Sequence, residues 1–420
     1  MRNVAIIGVG YTPVFVSKRK DVNIPEMIRE AVQNVFRRTN AKPEDVEALV
    51  VGNMQTFEGV NLPHLWAGDH IGGLNKPVMR IATGGTTGMT TFHAAYYHVA
   101  SGLFDVVMAI GWEKHSEGDA QVGLGGIVLP EVFGMIKFGP DISARPGGGG
   151  GGGGFGLGGG GGSTGGASFQ AMSYMARSGC TVEHIDKVAA MLRRNAAGNP
   201  YAHLKHPGCT AEDIAKTPMI AYPLRYGHTC PTTDGATAVI LTTEEKAKKL
   251  AATDRVAWVK GLATCASDAT TGNIIESQIT DPAEQLPCRI ASKKAYEMAG
   301  ITDPKKEIDL AEVYDGFAHQ DLMWPERLGL FDEGKCPEAL DRGRMDIDGD
   351  MPVNLSGGVI STNAIGASAM NRVTECALQV MGTAEGGHQA HKKVNTAVAH
   401  GWGGLFQFVS VTVVGRTPNK

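Results

Sequence analysis

Apolar and polar positions along this chain switch between two periods. Asn3–Gly8 is an apolar run closed by glycine, as expected of a strand buried on both faces. Ile24–Arg38 places apolar residues three and four apart, the stripe of an amphipathic helix, and Val46–Gly52 returns to strand. Farther on, the glycine turn Gly84–Gly88 leads into a helix reaching Ala100, and the apolar strand Asp105–Gly111 follows Ser101-Gly102. The second half repeats this grammar. A helix over Ala291–Ala299, a break at Ile301–Pro304 and a strand over Ile308–Tyr314 match the helix end Val35–Thr39, the turn Ala41–Asp45 and the strand Val46–Val51. The turn and helix from Gly84 find their counterpart in Ser356-Gly357-Gly358 and the helix running to Val380. Two repeats in the same order predict two duplicated βαβ-type halves.

Length and charge narrow the class. With 420 residues the chain can bury a large core in two similar lobes. A formal charge of -4 leaves no basic surplus for nucleic acid. No segment has the apolar length of a membrane span and no basic leader opens the chain, so a cytoplasmic protein is expected. Seven scattered cysteines without a C-x-x-C pair suit a reducing compartment and offer no zinc or disulfide framework. His388 and His391 have no evident carboxylate or cysteine to complete a ligand set, so no metal site is read there. The halves are expected at residues 1–111 with 228–250, and at 251–420. Between them, 112–227 is an insertion whose stretch 147–166 is nearly all glycine, the composition of a mobile lid.

Chemistry gathers at a few motifs. Thr83-Gly84-Gly85-Thr86-Thr87-Gly88 joins small residues to a helix start, where backbone N–H groups favour a developing oxyanion. This segment resembles the nucleophile helix of the thiolase superfamily, whose motif begins with cysteine and is followed about seventeen residues later by glycine. Counting back from Gly102 sets Gly85 in the cysteine's place. Glu312–Phe317 is similar to that family's Asn-Glu-Ala-Phe and His-Asp-Cys-Phe motifs, with Tyr314 at the residue that binds the thioester oxygen. A strand-end tyrosine that only packs is the alternative. Asn354–Ser368 is similar to the Gly-His-Pro-x-Gly-Ala loop, with Asn363 on the histidine. An asparagine that merely caps a helix is the alternative there. His400–Leu405, at the end of a strand over Asn395–Ala399, resembles the His-Asn-x-Gly-Gly turn of the sterol-carrier-protein and archaeal branch, which makes His400 the candidate acid/base at the α-carbon. Cys230–Leu241 is similar to the family's Asp-Gly-Ala segment. Asp234 and Gly235 read as a turn, and Cys230 as a buried core cysteine.

The resemblance implies an α/β thiolase fold, with two duplicated βαβαβ halves in a five-layered α-β-α-β-α core and a large lid insertion. It implies coenzyme A as substrate, with His400, Tyr314 and Asn363 catalytic, and with Gly85, Thr86 and Gly404 forming the oxyanion and thioester pocket. Arg193, Arg194 and Lys205 are expected to meet the coenzyme A phosphates. No metal is expected in this chain; zinc would sit in a small zinc-ribbon/OB-fold partner subunit bound to a homodimer core. Because glycine cannot take an acyl group, the implied reaction is thiolytic cleavage, or the reverse Claisen condensation, of a branched, possibly aromatic 3-oxoacyl-CoA such as benzoylsuccinyl-CoA, without an acyl-enzyme. The cysteine-less steroid side-chain aldolases of the superfamily supply the alternative, retro-aldol cleavage of a 3-hydroxyacyl-CoA. The His400 turn, and Ala364 where those aldolases carry a second tyrosine, favour the Claisen reading. A non-catalytic CoA-binding scaffold is the third possibility.

Overall fold

The computed structural model describes residues 2–118, 163–266, 281–404 and 406–419. The glycine run within 147–162 therefore lies outside the described residues, as does the rest of 119–162 in the expected lid. Strand β1 (Val4–Tyr11) is buried along its whole length. It feeds α1 (Ile24–Arg37), which Asn23 opens with a capping box: its side chain accepts from the Glu26 N–H while Glu26 accepts from the Asn23 N–H. The predicted stripe of α1 is its buried face, Met27, Ile28, Ala31, Val32 and Val35. The chain continues through β2 (Ala48–Gly52), the short α2 (Pro63–Ala67), β3 (Val78–Ile81), α3 (Thr87–Ala100) and β4 (Val106–Glu113). The described part of the insertion holds two long helices, α4 (Ser163–Ser178) and α5 (Val182–Gly198), a short helical turn over Ala211–Ala215, and a small hairpin of β5 (Met219–Ala221) and β6 (Leu224–Arg225). Then β7 (Gly235–Thr243) closes the first half.

The second half runs β8 (Ala257–Ala266), α6 (Leu286–Ala299), β9 (Leu310–Glu312), α7 (Ile365–Met381), β10 (Thr396–Gly403) and β11 (Phe408–Gly415). Among the described residues one sheet takes the order β3-β2-β4-β7-β1-β8-β11-β10-β9. The sequence β2-β4-β7-β1 is mirrored by β9-β10-β11-β8, with parallel and antiparallel pairings matching position by position. The two half-sheets meet only where Ala5 and Ile6 pair with Trp258 and Ala257. α1 covers the outer face of the first half, α6 that of the second, and α3 and α7 pack together between them. This is the duplication the repeats predicted, in the five-layered arrangement the resemblance implied.

α3 and α7 are equivalent elements of the two halves, and α3 crosses α7 at a residue without a side chain, Gly88. A Cβ on Gly88 would lie 2.6 Å from the Met370 nitrogen and 2.9 Å from the Gly366 oxygen. A carboxylate secures the start of α7: Glu113, at the end of β4, accepts from the Gly366 N–H at 3.1 Å, from the Asn53 amide and from the Met54 N–H. Burial, then the Glu58 carboxyl, push the Glu113 pKa up.

Three expectations change in the structure. β9 is only three residues long, because the side chain of Asn354 takes both the N–H and the C=O of Val313 and ends the ladder. The helix expected from Ala291 begins five residues sooner, with Pro287 in its first turn, where no N–H is needed. β10 does not stop at Ala399 but pairs with β11 as far as Gly403↔Phe408. His400 therefore sits inside a paired strand rather than at its end.

Candidate active site

The glycine turn before α3 packs backbone to backbone on the end of β10. Gly84 adopts φ +68°, and a Cβ there would come within 2.8 Å of the Gly404 nitrogen. At Gly85 the constraint is sharper. An added Cβ would stand 2.3 Å from the Trp402 carbonyl oxygen and 3.3 Å from both the hydroxyl and Cζ of Tyr314. Here the space in which a nucleophilic side chain would begin is already filled, by a strand carbonyl and a phenol. Thr86 is buried, its hydroxyl spent on the Thr83 carbonyl at 2.6 Å, so it braces the turn.

Tyr314 follows β9 and faces this turn. The Trp402 indole donates to the Tyr314 carbonyl at 2.8 Å, and the two rings meet edge to face at 5.6 Å. The Tyr314 hydroxyl donates to Asn363 Oδ1 at 3.3 Å, and the Ser368 hydroxyl donates to the same oxygen at 2.9 Å. With both acceptor directions of Oδ1 used, the orientation of the amide is set and its NH2 points the other way, onto Cys230 Sγ at 3.2 Å. Asn363 does not cap α7; its side chain joins Tyr314, Ser368 and Cys230. Its backbone is held on both sides by Thr233, whose hydroxyl accepts from the Asn363 N–H and whose N–H donates to the Asn363 carbonyl. Thr233 in turn meets His203 Nδ1 at 3.0 Å.

Electrostatics keeps these groups uncharged. Burial raises the Tyr314 pKa far above that of an exposed phenol, and the nearby Cys230 adds to it, so the hydroxyl is a neutral donor. Burial, followed by the Asp315 carboxyl, pushes the Cys230 thiol up to about 12. Asp315 itself is pushed up to about 7 by burial. One of its oxygens accepts from the Val359 N–H at 2.6 Å and the other has no partner among the described residues.

A buried polar lattice carries the site. Arg372 from α7 pairs with Glu312 and hydrogen-bonds Ser356, while Ser356 donates to Glu312 at 2.6 Å. Asn354, at φ +50°, binds both backbone groups of Val313 and donates to Asp321. The segments bearing Tyr314 and Asn363 are thereby riveted to each other and to α7.

Of the residues anticipated from sequence, Gly85, Thr86, Tyr314 and Asn363 lie together, with Gly404 behind the turn. His400 is fully buried, its ring 4.4 Å from that of Trp324, and among the described residues neither ring nitrogen has a hydrogen-bond partner. Burial lowers its pKa to about 3, so the ring is neutral. No hydrogen bond joins it to Tyr314 or Asn363. Arg193 is spent on the Ile360 carbonyl and the Ser361 hydroxyl, Arg194 on the Cys209 carbonyl at 2.7 Å and Lys205 on the Pro200 carbonyl at 2.6 Å. Arg194 and Lys205 thus brace the insertion internally, and Arg193 ties it to the segment that carries Asn363. Cys230, read from sequence as a buried core cysteine, contacts Asn363, and His203 reaches the site through Thr233. The nearest sequence signal was the Cys-Pro step just ahead of Asp234-Gly235. His388 and His391 are engaged by Glu375 and Asp348, and among the described residues no three metal-binding side chains converge.

Comparison with known proteins agrees with this architecture. The thiolase N-terminal domain family matches residues 4–125, and the thiolase C-terminal domain-like family matches residues 266–416. The chain is 27% identical to an acetyl-CoA acetyltransferase of Methanothermobacter thermautotrophicus, covering 99% of this chain and 100% of that one. It is 26% identical to the benzoylsuccinyl-CoA thiolase subunit BbsB of Thauera aromatica, over 96% and 95% of the two chains. Identity is also 26% to the 17-hydroxy-3-oxo-4-pregnene-20-carboxyl-CoA lyase of Mycobacterium tuberculosis, over 90% and 92%. A solved structure of the Ltp2-ChsH2(DUF35) aldolase superposes with a TM-score of 0.77 at 23% identity, covering 99% of this chain and 98% of that one. Matched in both of its halves, this chain belongs to the thiolase superfamily and is a thiolase-like enzyme.

Proposed function

We propose that this enzyme makes or breaks a carbon–carbon bond in an acyl-CoA without forming an acyl-enzyme. The substrate in this reading is a branched, possibly aromatic 3-oxoacyl-CoA such as benzoylsuccinyl-CoA, cleaved by direct attack of the CoA thiol or formed by the reverse Claisen condensation. The observation that carries the reading is Gly85, whose side-chain direction ends on the Trp402 carbonyl and the Tyr314 phenol. A covalent acyl carrier has no room to start there, while a neutral phenol and an amide stand beside the same point. The Tyr314–Asn363 bond is long for an O–H donor, so the phenol can turn to a substrate oxygen at little cost. Tyr314 would then hold the thioester or ketone oxygen as charge develops on it. Retro-aldol cleavage of a 3-hydroxyacyl-CoA is the second reading, favoured by Tyr314 itself and by the lyase among the relatives.

A homodimer core with a small zinc-ribbon/OB-fold subunit completes the proposal. Its dimer is supported by the open edge strand β3, flanked by exposed Leu65, Trp66 and Met79. The second subunit rests on the family resemblance and on the two-component Ltp2-ChsH2(DUF35) aldolase. The test is mass spectrometry of acyl-CoAs and of intact protein after incubation with the coexpressed subunit. Condensed or thiolysed 3-oxoacyl-CoA with no protein adduct supports the Claisen reading. Cleavage of only a 3-hydroxyacyl-CoA, without CoA consumption, supports the aldolase, and an acylated chain refutes both.

A further inference from the structure

Both readings share one unfilled role. When the C2–C3 bond breaks, its electron pair passes to C2 as a thioester enolate, and something must deliver a proton to that carbon. His400 was the candidate from sequence, but it packs against Trp324 with no link to the Tyr314–Asn363 pair. Cys230 is linked to that pair. Its N–H bonds the Gly316 carbonyl, and the bridge between Thr229 and Phe317 ties its segment to the one that carries Tyr314. Five of the seven cysteines are buried outright, whereas Cys230 is only partly covered.

Resting on the thioester-site reading above, we propose that the Cys230 thiol is a catalytic acid/base of this site, giving its proton to the α-carbon of the departing acyl-CoA and taking one back in the reverse direction. The surroundings suit both states of the sulfur. Burial and the Asp315 carboxyl keep it protonated at rest, so it is a proton donor and not a standing nucleophile. Once the proton has left, the Asn363 NH2, whose direction the Tyr314 and Ser368 hydroxyls impose, donates to the sulfur, and Arg193 adds favourable charge. The proton count closes. In thiolysis the attacking CoA thiol releases one proton to solvent, and in retro-aldol cleavage the 3-hydroxyl does. C2 takes one from Cys230, and the thiolate recovers one from solvent.

The test separates this role from the reading beneath it. The full-length chain is incubated in D2O with acetyl-CoA and with 3-phenylpropionyl-CoA, neither of which has a 3-oxo or 3-hydroxyl group to cleave. Deuterium entering at C2 is followed by mass spectrometry, and thioester binding by calorimetry. The wild type is expected to exchange C2 hydrogens. Cys230→Ala should slow exchange by about a hundredfold or more, with binding and melting temperature held, and Cys230→Ser should fall between them. Exchange that survives Cys230→Ala, or that is lost in His400→Ala alone, overturns the proposal, as does wild-type protein that binds both thioesters without exchanging them. Failure of the wild type to bind either thioester would instead overturn the site reading itself.

Discussion

Restoring a thiol to the glycine turn is the most direct challenge to the closed pocket. In Gly85→Cys the new Cβ begins 2.3 Å from the Trp402 carbonyl oxygen, about 0.7 Å inside the 3.0 Å below which real contacts are essentially never found. The opposing atom cannot swing aside. It belongs to β10, which is paired with β11 at Trp402↔Val409, and the same residue's indole is fixed to the Tyr314 carbonyl. Nor can the turn retreat easily, since Gly84 and Gly404 are in backbone contact beside it. Overpacking against such a rigid wall falls at the upper end of the usual cost, about 3 kcal/mol, or roughly a hundredfold in the folding equilibrium. Because the obstruction is met at Cβ, Gly85→Ala should cost nearly as much as Gly85→Cys. Urea unfolding of both variants measures the loss, and intact-protein mass after exposure to acyl-CoA shows whether the new thiol is acylated. A Gly85→Cys protein as stable as wild type that gains an acyl group would refute the argument, for it would show that the turn has room for the nucleophile.

Removing only the phenolic oxygen, in Tyr314→Phe, should lower kcat/KM by about 10²–10³ while leaving the fold intact, and steady-state assay of acyl-CoA turnover with a thermal melt checks both halves of that expectation. Glu312→Gln leaves Arg372 buried without its carboxylate and should destabilise the chain by about 3–5 kcal/mol in urea unfolding, whereas a variant that melts like wild type would mean the pair holds nothing. His400 titrates at about 3 when folded and near 6.5 when unfolded, so the unfolded chain binds the extra proton as pH falls through that interval. Relative to His400→Gln, the wild type should therefore lose about 1.4 kcal/mol per pH unit between pH 6 and 4, and parallel stability curves for the two proteins would contradict the buried, neutral ring.

The strands and helices of the two halves were legible because their signals are local. The α1 stripe and the doubly buried run of β1 each lie within a dozen residues, and the repeat order exposed the duplication. What escaped detection depends on partners far away in the chain. β10 runs through His400 only because β11 supplies the matching ladder, and β9 stops early only because an asparagine forty-one residues later takes its next N–H. Tyr314 and Asn363 could be placed from motif spacing, and they do meet. Cys230 reaches Asn363 across 133 residues through packing of the Thr229–Thr233 segment, for which neither periodicity nor spacing gives a sign. The contacts of Arg193, Arg194 and Lys205 escaped the sequence because most of their acceptors are backbone carbonyls, which carry no sequence signature.

Gly85 stands two residues before the first turn of α3, and Asn363 stands two residues before the first turn of α7. Those helices occupy matching places in the two halves, so the two residues stand at like distances ahead of matching helices. One is bare backbone and the other carries an amide that organises three neighbouring side chains. Both meet the Tyr314 hydroxyl, so the starts of two matching helices serve one phenol in opposite ways: one makes room while the other makes contacts.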